Sequence, residues 1–310
     1  MHVKPAHHAS PSPAAAPGVD ASKVLPVTHY ENFPVASWLC PPRLRAPIAA
    51  LYHFARTADD LADEGPGTAE QRLSELSAYR AQMHAALASG AAESSAKQDA
   101  AAPALWTGVL GALARQHATW HWPVQLLDDL LDAFMQDVAW TQAQRLYPDR
   151  ATLLDYCRRS ANPVGRLLLH LHQVQDAEAL QQSDDICSAL QLVNFWQDLR
   201  QDIPRGRHYL SEADCQQHGV TRAQLQALES TPATQALVQA QLDWAEALMR
   251  RGAPLVHRLP GRAGWELRLV VQGGLQVIRR LRQPRHDPLR RRIKLGRSDY
   301  AAMLWHSLWM

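Results

Sequence analysis

Apolar residues recur at three- and four-residue intervals along most of the chain, which is the spacing of one helix face. The stretch 124–145 has apolar residues with this spacing at Leu127, Leu130, Leu131, Phe134 and Val138. Apolar and polar residues do not alternate over runs long enough to predict exposed β-strands. The same reasoning predicts helices over residues 69–87, 103–117, 124–145, 151–174, 183–201, 221–228, 234–251 and 263–281, and a short one near 211. The predicted fold class is all-α.

Proline, glycine and low-complexity sequence set the predicted boundaries. Residues 1–26 are rich in Pro, Ala, Ser and His without periodicity, so we predict a disordered leader. Residues 27–310 are enough for one large core and are predicted to form a single domain. Within it, a helix begins after Pro42 and ends at Gly65, and Thr68 is a suitable N-cap for the next helix.

Composition excludes several classes of protein. The content of 46% hydrophobic and 20% charged residues, with a net charge of +2, is typical of an ordinary globular protein and argues weakly against nucleic acid as a partner. The four cysteines form no CxxC pair, so a disulfide framework or zinc site is not expected. No apolar run has the length of a transmembrane helix, and the N-terminus lacks the layout of a secretion signal. We therefore expect a cytoplasmic protein.

The first candidate site is an acidic helix end. Four carboxylates fall within six residues, and Arg56 and Tyr52 stand one and two turns upstream on the same face. These carboxylates are Asp59, Asp60, Asp63 and Glu64. A divalent cation would remove their mutual repulsion, and hard oxygen ligands suit Mg²⁺, which also binds substrate phosphates. The alternative is a solvated helix end without a ligand.

A second polar stripe supplies a partner for the first. Asn194, Asp198 and Asp202 are spaced i, i+4, i+8, which places three oxygen ligands along one side of a helix. The upstream part of this helix is apolar enough to be buried, and unpaired buried carboxylates are costly. If the two helices face each other, they could hold several Mg²⁺ ions and stabilise a diphosphate leaving group. Arg207 follows closely and could grip phosphate oxygens, although alone it belongs to an ordinary basic loop.

Two other charged segments have simpler explanations. Asp128, Asp129 and Asp132 also fit DDxxD, but they follow Pro123 in the first turns of a helix, where acidic residues are favoured. They lack the upstream Tyr and Arg, so we interpret them as a helix-start cluster. The basic residues between 279 and 297 are interpreted as a solvated face, with a surface for anionic lipid or a diphosphate as the alternative.

With both acidic segments in place, the chain resembles the squalene/phytoene synthase family of head-to-head prenyl synthases over about residues 28–300. The first signature is Tyr52 to Asp63, the second is Asn194 to Tyr209, and between them Tyr156 to Gly165 is similar to the family's central motif. The resemblance implies the isoprenoid-synthase fold, a single helical bundle around a central apolar cavity. It also implies Mg²⁺, with Mn²⁺ as a possible substitute, and a prenyl diphosphate substrate.

The segments 29–37 and 160–165 resemble the hopanoid-pathway branch, whose members convert presqualene diphosphate to hydroxysqualene. No GxGxxG unit is present, and NADPH is not expected for that reaction. Asn162-Pro163 and Gln197 depart from the usual family pattern. The proline should kink its helix, and a neutral amide near the reacting carbons could help to place water.

The resemblance implies roles for particular residues. The metal ligands would be Asp59, Asp63, Asn194, Asp198 and Asp202. The catalytic residues would be Tyr156, Arg56, Asp59 and Asp198. The substrate-binding residues would be His29, Asn32, Tyr52, Arg56, Asn162, Gln197, Arg207 and Tyr209. A structural role in the core is the alternative for Tyr156.

Other functions stay open at this point. The chain could be a squalene, presqualene diphosphate or phytoene synthase acting on farnesyl or geranylgeranyl diphosphate, or a non-catalytic family member acting as an assembly factor. The expected partners are the prenyl diphosphate and, in passing on an apolar product, a membrane and other pathway enzymes. Peripheral contact with the inner face of a membrane would be compatible with the cytoplasmic location.

Overall fold

The computed structural model describes residues 40–64, 67–89, 106–283, 285–293, 296–308 and 310. Throughout these residues the regular structure is helical, without a strand, which confirms the predicted class. The helices are α1 (Pro42–Asp63), α2 (Ala69–Ser89), α3 (Thr107–Trp120), α4 (Gln125–Gln142), α5 (Arg150–Ser160), α6 (Asn162–Leu171), α7 (Ala177–Gln197), α8 (Leu199–Asp202), α9 (Glu212–Gln217), α10 (Arg222–Gln226), α11 (Pro232–Gly252), α12 (Arg262–Leu281) and α13 (Arg297–Leu308). The predicted leader lies outside the described residues.

Most predicted helices are present with ends shifted by a few residues. Thr68 caps α2 as expected, since its backbone N–H donates to Gln71 at 2.8 Å and its hydroxyl accepts from the Gln71 N–H at 3.3 Å. The helix predicted over 151–174 is two helices, which meet at Ala161 next to Pro163. The expected kink is therefore a break, because proline cannot donate the hydrogen bond that would continue α5.

The core consists of two apolar clusters. One lies among α1, α2, α3 and α4, where Phe54 and Leu127 are fully buried. The other surrounds α7 and includes Leu192, Leu242 on α11 and Ile278 on α12, all without solvent exposure. Because α7 packs against α5, α6, α11 and α12, it is the central helix of this second cluster.

Glycines on two neighbouring helices let them approach α7 closely. A Cβ atom on Gly165 of α6 would stand 2.6 Å from Cys187 Sγ. A Cβ on Gly252 of α11 would stand 2.7 Å from Ile186 Cγ1 and would also collide with the carbonyl oxygen of Gln182. Both helices therefore pack closely against α7. These contacts fix the position of α7, which carries Asn194.

Candidate active site

The C-terminal end of α1 carries the first acidic segment, and Arg56 neutralises part of it. The Arg56 guanidinium lies 3.1 Å from Asp59 Oδ2, 2.7 Å from Asp60 Oδ1 and 3.0 Å from Glu64 Oε1. These partners stand three, four and eight residues along the chain, so one arginine collects carboxylates from successive turns. In this structure Arg56 is bound to its own helix, and its predicted role in gripping phosphate stays a prediction.

Asp59 is the carboxylate of this segment whose charge is least favourable. The pKa of Asp59 is raised to about 6, first by burial and then by the neighbouring charge of Asp63, while Arg56 acts in the opposite direction. A carboxylate in this situation gains from any additional cation placed beside it. This is the electrostatic property that a metal ligand requires.

The second acidic segment begins at the end of α7. The α-helix stops at Gln197 and restarts as α8, so the helix predicted over 183–201 is wrong in its continuity. The helical hydrogen bonds nevertheless continue, from the Asp198 N–H to the Asn194 carbonyl at 3.1 Å and from the Asp202 N–H to the Asp198 carbonyl at 3.0 Å. The predicted i, i+4, i+8 register is therefore maintained across the junction.

Arg207 joins the two acidic segments. Its Nη1 donates to Asp63 Oδ2 at 3.0 Å, and its Nη2 contacts the other oxygen of the same carboxylate. The turn through Gly206, whose φ is +81°, and a hydrogen bond from the Arg207 N–H to the Asp202 carbonyl at 3.0 Å hold this arginine at the site. Arg207 and Asp63 are far apart in the chain and form an ion pair, so the two acidic segments lie close together in the fold.

The two segments also act on each other electrostatically. The pKa of Asp202 is raised to about 6, mainly by burial; Arg207 acts to lower it, and the charges of Asp198 and Asp63 act to raise it. Asp63 belongs to α1 and Asp202 to α8. Carboxylates from both segments therefore repel one another across a common space.

A half-buried carboxylate that the sequence interpretation missed lies beside this space. Asp137 on α4 accepts a hydrogen bond from Tyr209 Oη at 3.3 Å and another from Tyr156 Oη. Burial raises the pKa of Asp137 to about 7, although the two tyrosines and Arg207 act to lower it. The signal was present in the sequence, because Asp137 falls on the apolar face of α4, three residues after Phe134.

Aromatic rings surround this carboxylate. Tyr209 stacks on Phe195 with ring centroids 3.6 Å apart, and Tyr156 lies 6.1 Å from Tyr209 and 5.8 Å from Tyr147. Burial, followed by the charge of Asp137, raises the pKa of Tyr156 well above its ordinary value, so its hydroxyl stays protonated. The result is an aromatic wall with a single acceptor, Asp137, for the hydroxyls of Tyr156 and Tyr209.

The segment 285–293 lies over the second acidic segment. Arg292 Nε stands 2.7 Å from Asp198 Oδ1, and Gln197 Nε2 donates to the Ile293 carbonyl at 2.5 Å. Arg292 belongs to the basic C-terminal run and is exposed, and its guanidinium nevertheless pairs with the Asp198 carboxylate. Arg280 of the same run is paired internally, at 2.6 Å from Asp299.

The donor set suits Mg²⁺, but the ligands are not gathered around one point. Across the described ranges, no three His, Cys, Asp or Glu side chains stand close enough to share a metal ion. Arginines occupy several of the carboxylates instead, with Arg56 on Asp59 and Arg207 on Asp63. Hard oxygen donors that repel one another fit a divalent cation, and two of them, Asp59 and Asp202, have raised pKa values. The five proposed ligands stay a prediction.

Comparison of the sequence with known proteins identifies the family to which the chain belongs. Residues 27–299 match the squalene/phytoene synthase family. The chain belongs to the squalene/phytoene synthase family. Its members are head-to-head prenyl synthases, and this chain is an enzyme of that type. The resemblance inferred from the three motifs is therefore confirmed.

Relatives within the squalene/phytoene synthase family include the hydroxysqualene synthase of Sinorhizobium fredii, which is 31% identical over 86% of this chain and 84% of its own length. The hydroxysqualene synthase of Rhodopseudomonas palustris is 33% identical over 86% of this chain and 83% of its own. Among solved structures, squalene synthase HpnC from Alicyclobacillus acidocaldarius superposes with a TM-score of 0.71 at 33% identity, covering 83% of this chain and 89% of that one. The isoprenoid-synthase fold is thereby confirmed.

Several predicted residues of this family member lie elsewhere or have other partners. Asn162 is buried, and its Oδ1 accepts a hydrogen bond from Ser188 at 3.0 Å, which links α6 to α7. Tyr52 is half-buried and meets His53 edge to face. His29 and Asn32 lie outside the described residues. The substrate-binding roles of these residues, and of Gln197, stay predictions, as does the central apolar cavity.

The second DDxxD cluster is placed against α2. Asp132 lies 2.5 Å from Arg80, and Asp128 lies 2.9 Å from His84. These ion pairs connect α4 to α2, and Asp128 lies in the first turn of α4, where the sequence interpretation placed it. That the cluster is a helix-start charge cluster stays a prediction. None of the described helices has the length and hydropathy needed to cross a membrane.

Proposed function

We propose that the chain converts presqualene diphosphate and water to hydroxysqualene and diphosphate, as a step of hopanoid biosynthesis. The observation that carries this proposal is the Arg207–Asp63 ion pair, which brings both acidic segments together beside the Asp137 carboxylate. The names of the hydroxysqualene synthases from Sinorhizobium fredii and Rhodopseudomonas palustris support the choice of product. A membrane-associated cytoplasmic location and transfer of the apolar product to later enzymes belong to the same proposal.

In this reaction the bond between carbon and the diphosphate oxygen breaks, and its electron pair leaves with the diphosphate. Mg²⁺, when bound by Asp59, Asp63, Asn194, Asp198 and Asp202, would supply the positive charge that stabilises this leaving group. Arg207 and Arg56 both pair with carboxylates of the first acidic segment, and each guanidinium has five N–H donors that can bind phosphate oxygens. Tyr52 and the other predicted binding residues would add neutral hydrogen bonds.

The aromatic wall would serve the carbocation that remains. The ring faces of Tyr156, Tyr209 and Phe195 carry negative electrostatic potential and can stabilise a nearby positive charge without reacting with it. Rearrangement then gives the carbon skeleton of the product, and water adds to the final cation through its oxygen. The proton that this water loses needs an acceptor, and Asp137, with a pKa of about 7, is suited to take it.

The test is incubation of the purified chain with presqualene diphosphate and Mg²⁺, without NADPH, followed by mass spectrometry of the products. We expect hydroxysqualene and one equivalent of diphosphate. Asp59→Ala should abolish turnover with little loss of folding, because Asp59 lies at a charged helix end outside the apolar clusters. Consumption of farnesyl diphosphate without any hydroxysqualene from presqualene diphosphate would refute the assignment.

A second candidate is synthesis of presqualene diphosphate itself. The presqualene diphosphate synthase of Rhodopseudomonas palustris is 26% identical over 96% of this chain, which is lower identity over a longer alignment than the hydroxysqualene synthases show. The same assay distinguishes the two, since this enzyme would release presqualene diphosphate from farnesyl diphosphate. A non-catalytic assembly factor would retain its binding properties after Asp59→Ala and would turn over neither substrate.

A further inference from the structure

Three large apolar side chains are exposed in the C-terminal helices, away from the acidic site. They are Trp265 in the first turn of α12, with 44% of its surface exposed, and Leu304 and Trp305 in α13, with 58% and 61%. In the part of the chain that the structure describes, these are the large hydrophobic residues that remain exposed. We refer to the three as the tryptophan patch.

Arg268 holds the two helices of the tryptophan patch side by side. Its guanidinium carbon lies 4.8 Å from the centroid of the Trp265 ring, and its Nη1 donates to the Ser307 carbonyl at 3.3 Å. At the other end of the pair, Gln276 donates to Asp299 at 2.7 Å. Later residues of α13 thus meet earlier residues of α12, so the helices are antiparallel and the patch residues come from adjoining ends.

The helices that carry the tryptophan patch bring little negative charge to it. The sequences of α12 and α13 contain two acidic residues, Glu266 and Asp299. Asp299 is buried and paired with Arg280 at 2.6 Å. Oε1 of Glu266 is shielded from solvent, and the Glu266 charge is the second cause, behind burial, that raises the pKa of the buried Cys40 thiol. Among the charged side chains of α12 and α13, the positive charges of Arg268 and the exposed Arg262 are therefore the ones next to Trp265.

We propose that the tryptophan patch docks the protein onto the surface of an anionic phospholipid membrane. Tryptophan is favoured at the level of lipid headgroups, because its ring is apolar while its N–H can stay hydrated. Arg262 and Arg268 stand where they would meet the negative headgroups. A second copy of the chain is a poorer occupant, since pairing two such patches would bring like charges together without a compensating carboxylate from either helix.

The tryptophan patch is connected to the acidic site by a short piece of chain. Segment 285–293 lies over the second acidic segment through the Arg292–Asp198 and Gln197–Ile293 contacts, and α13 begins at Arg297. Leu304 and Trp305 stand toward the opposite end of α13, so the docking surface is connected to the covering segment of the site through this one helix. This surface is inferred without reference to any substrate, so its test is independent of the proposed reaction.

The experiment is flotation of the full chain with unilamellar vesicles of phosphatidylcholine alone or mixed with phosphatidylglycerol. We expect binding to the anionic vesicles and a reduction of at least about tenfold in the triple variant W265S/L304S/W305S, because its apolar insertion is lost. Arg262→Ser should weaken binding about fivefold, the usual contribution of one basic residue at such a surface. Arg115→Ser, an exposed arginine on α3, is the matched control and should bind like the unmodified protein.

A second readout is independent of flotation. Vesicles with brominated acyl chains should quench tryptophan fluorescence in the unmodified protein, and W265F/W305F should lose most of that quenching. Circular dichroism verifies that each variant keeps its helix content. The proposal is overturned if the unmodified protein does not float, if the triple variant floats equally well, or if light scattering shows a dimer that the triple variant dissolves while neither form binds lipid.

Discussion

Replacing Gly252 by alanine tests how closely α11 is seated on the central helix α7. Gly252 has φ −78° and ψ −22°, so alanine can adopt its backbone without strain. The added methyl group would stand 2.7 Å from Ile186 Cγ1 and 3.0 Å from Ile186 N, and would collide with the Gln182 carbonyl. Two of these three atoms belong to the α7 backbone and cannot rotate away.

The net effect is the difference of two opposing contributions. Alanine stabilises a helix by up to about 1 kcal/mol relative to glycine. Overpacking a close contact costs about 1–3 kcal/mol, and the upper value applies when backbone atoms must move. We therefore expect Gly252→Ala to lower the free energy of unfolding by about 2 kcal/mol and the Tm by about 4 °C.

The assay is urea unfolding followed by far-UV circular dichroism, with Gly108→Ala as the matched control. Gly108 is also helical, in the first turn of α3, and no atom lies within 4 Å of the position that its added methyl group would take. That variant should be unchanged or slightly more stable. If Gly252→Ala is as stable as the unmodified chain, or if both variants are destabilised equally, the inferred contact between α11 and α7 is wrong.

Three further predictions concern the acidic site. Asp198→Ala should abolish turnover in the mass-spectrometric assay, whereas Asp128→Ala in the second DDxxD cluster should retain it, and equal activities would remove the metal-site argument. Arg292→Gln should bind Mg²⁺ more tightly in calorimetry, because Asp198 loses its competing cation, and should bind inorganic diphosphate more weakly, because one guanidinium is lost. The control Arg291→Gln, at an exposed arginine, should bind both like the unmodified protein. The pKa of Asp137 rises from 3.8 to about 7 on folding, so its stabilising contribution is present below about pH 4 and lost as pH rises through 7. Asp137→Asn should therefore gain stability relative to the unmodified chain between these pH values in urea unfolding, and a constant difference would contradict the pKa.

Helix positions could be predicted from the sequence because apolar spacing reflects burial directly. The break at Ala161 was expected in kind, since Pro163 cannot donate a backbone hydrogen bond. The interruption at Asp198 was not, because no proline or glycine marks it. Helix α13 was also missed, since the adjoining basic run conceals its apolar positions.

For the site, local spacing predicted which carboxylates belong together but could not predict their partners. Asp63 and Arg207 are 144 residues apart, and their contact depends on how the helices pack. Asp137 was overlooked because a single acidic residue on an apolar face has no motif around it. Arg292 was overlooked because a basic run is usually solvated, and the backbone path of segment 285–293 brings it back to Asp198.

The arginine contacts described above have a consequence for how the site would be loaded. Arg56, Arg207 and Arg292 act as built-in counter-ions for Asp59, Asp63 and Asp198. If Mg²⁺ and a diphosphate bind as proposed, the ion pairs are exchanged. The carboxylates leave the guanidiniums and bind the metal, and the guanidiniums leave the carboxylates and bind the phosphate oxygens. Mg²⁺ alone would leave the guanidiniums without a counter-ion, and diphosphate alone would leave the carboxylates without one. The two ligands would therefore enter with positive cooperativity, and each would raise the affinity for the other by the same factor.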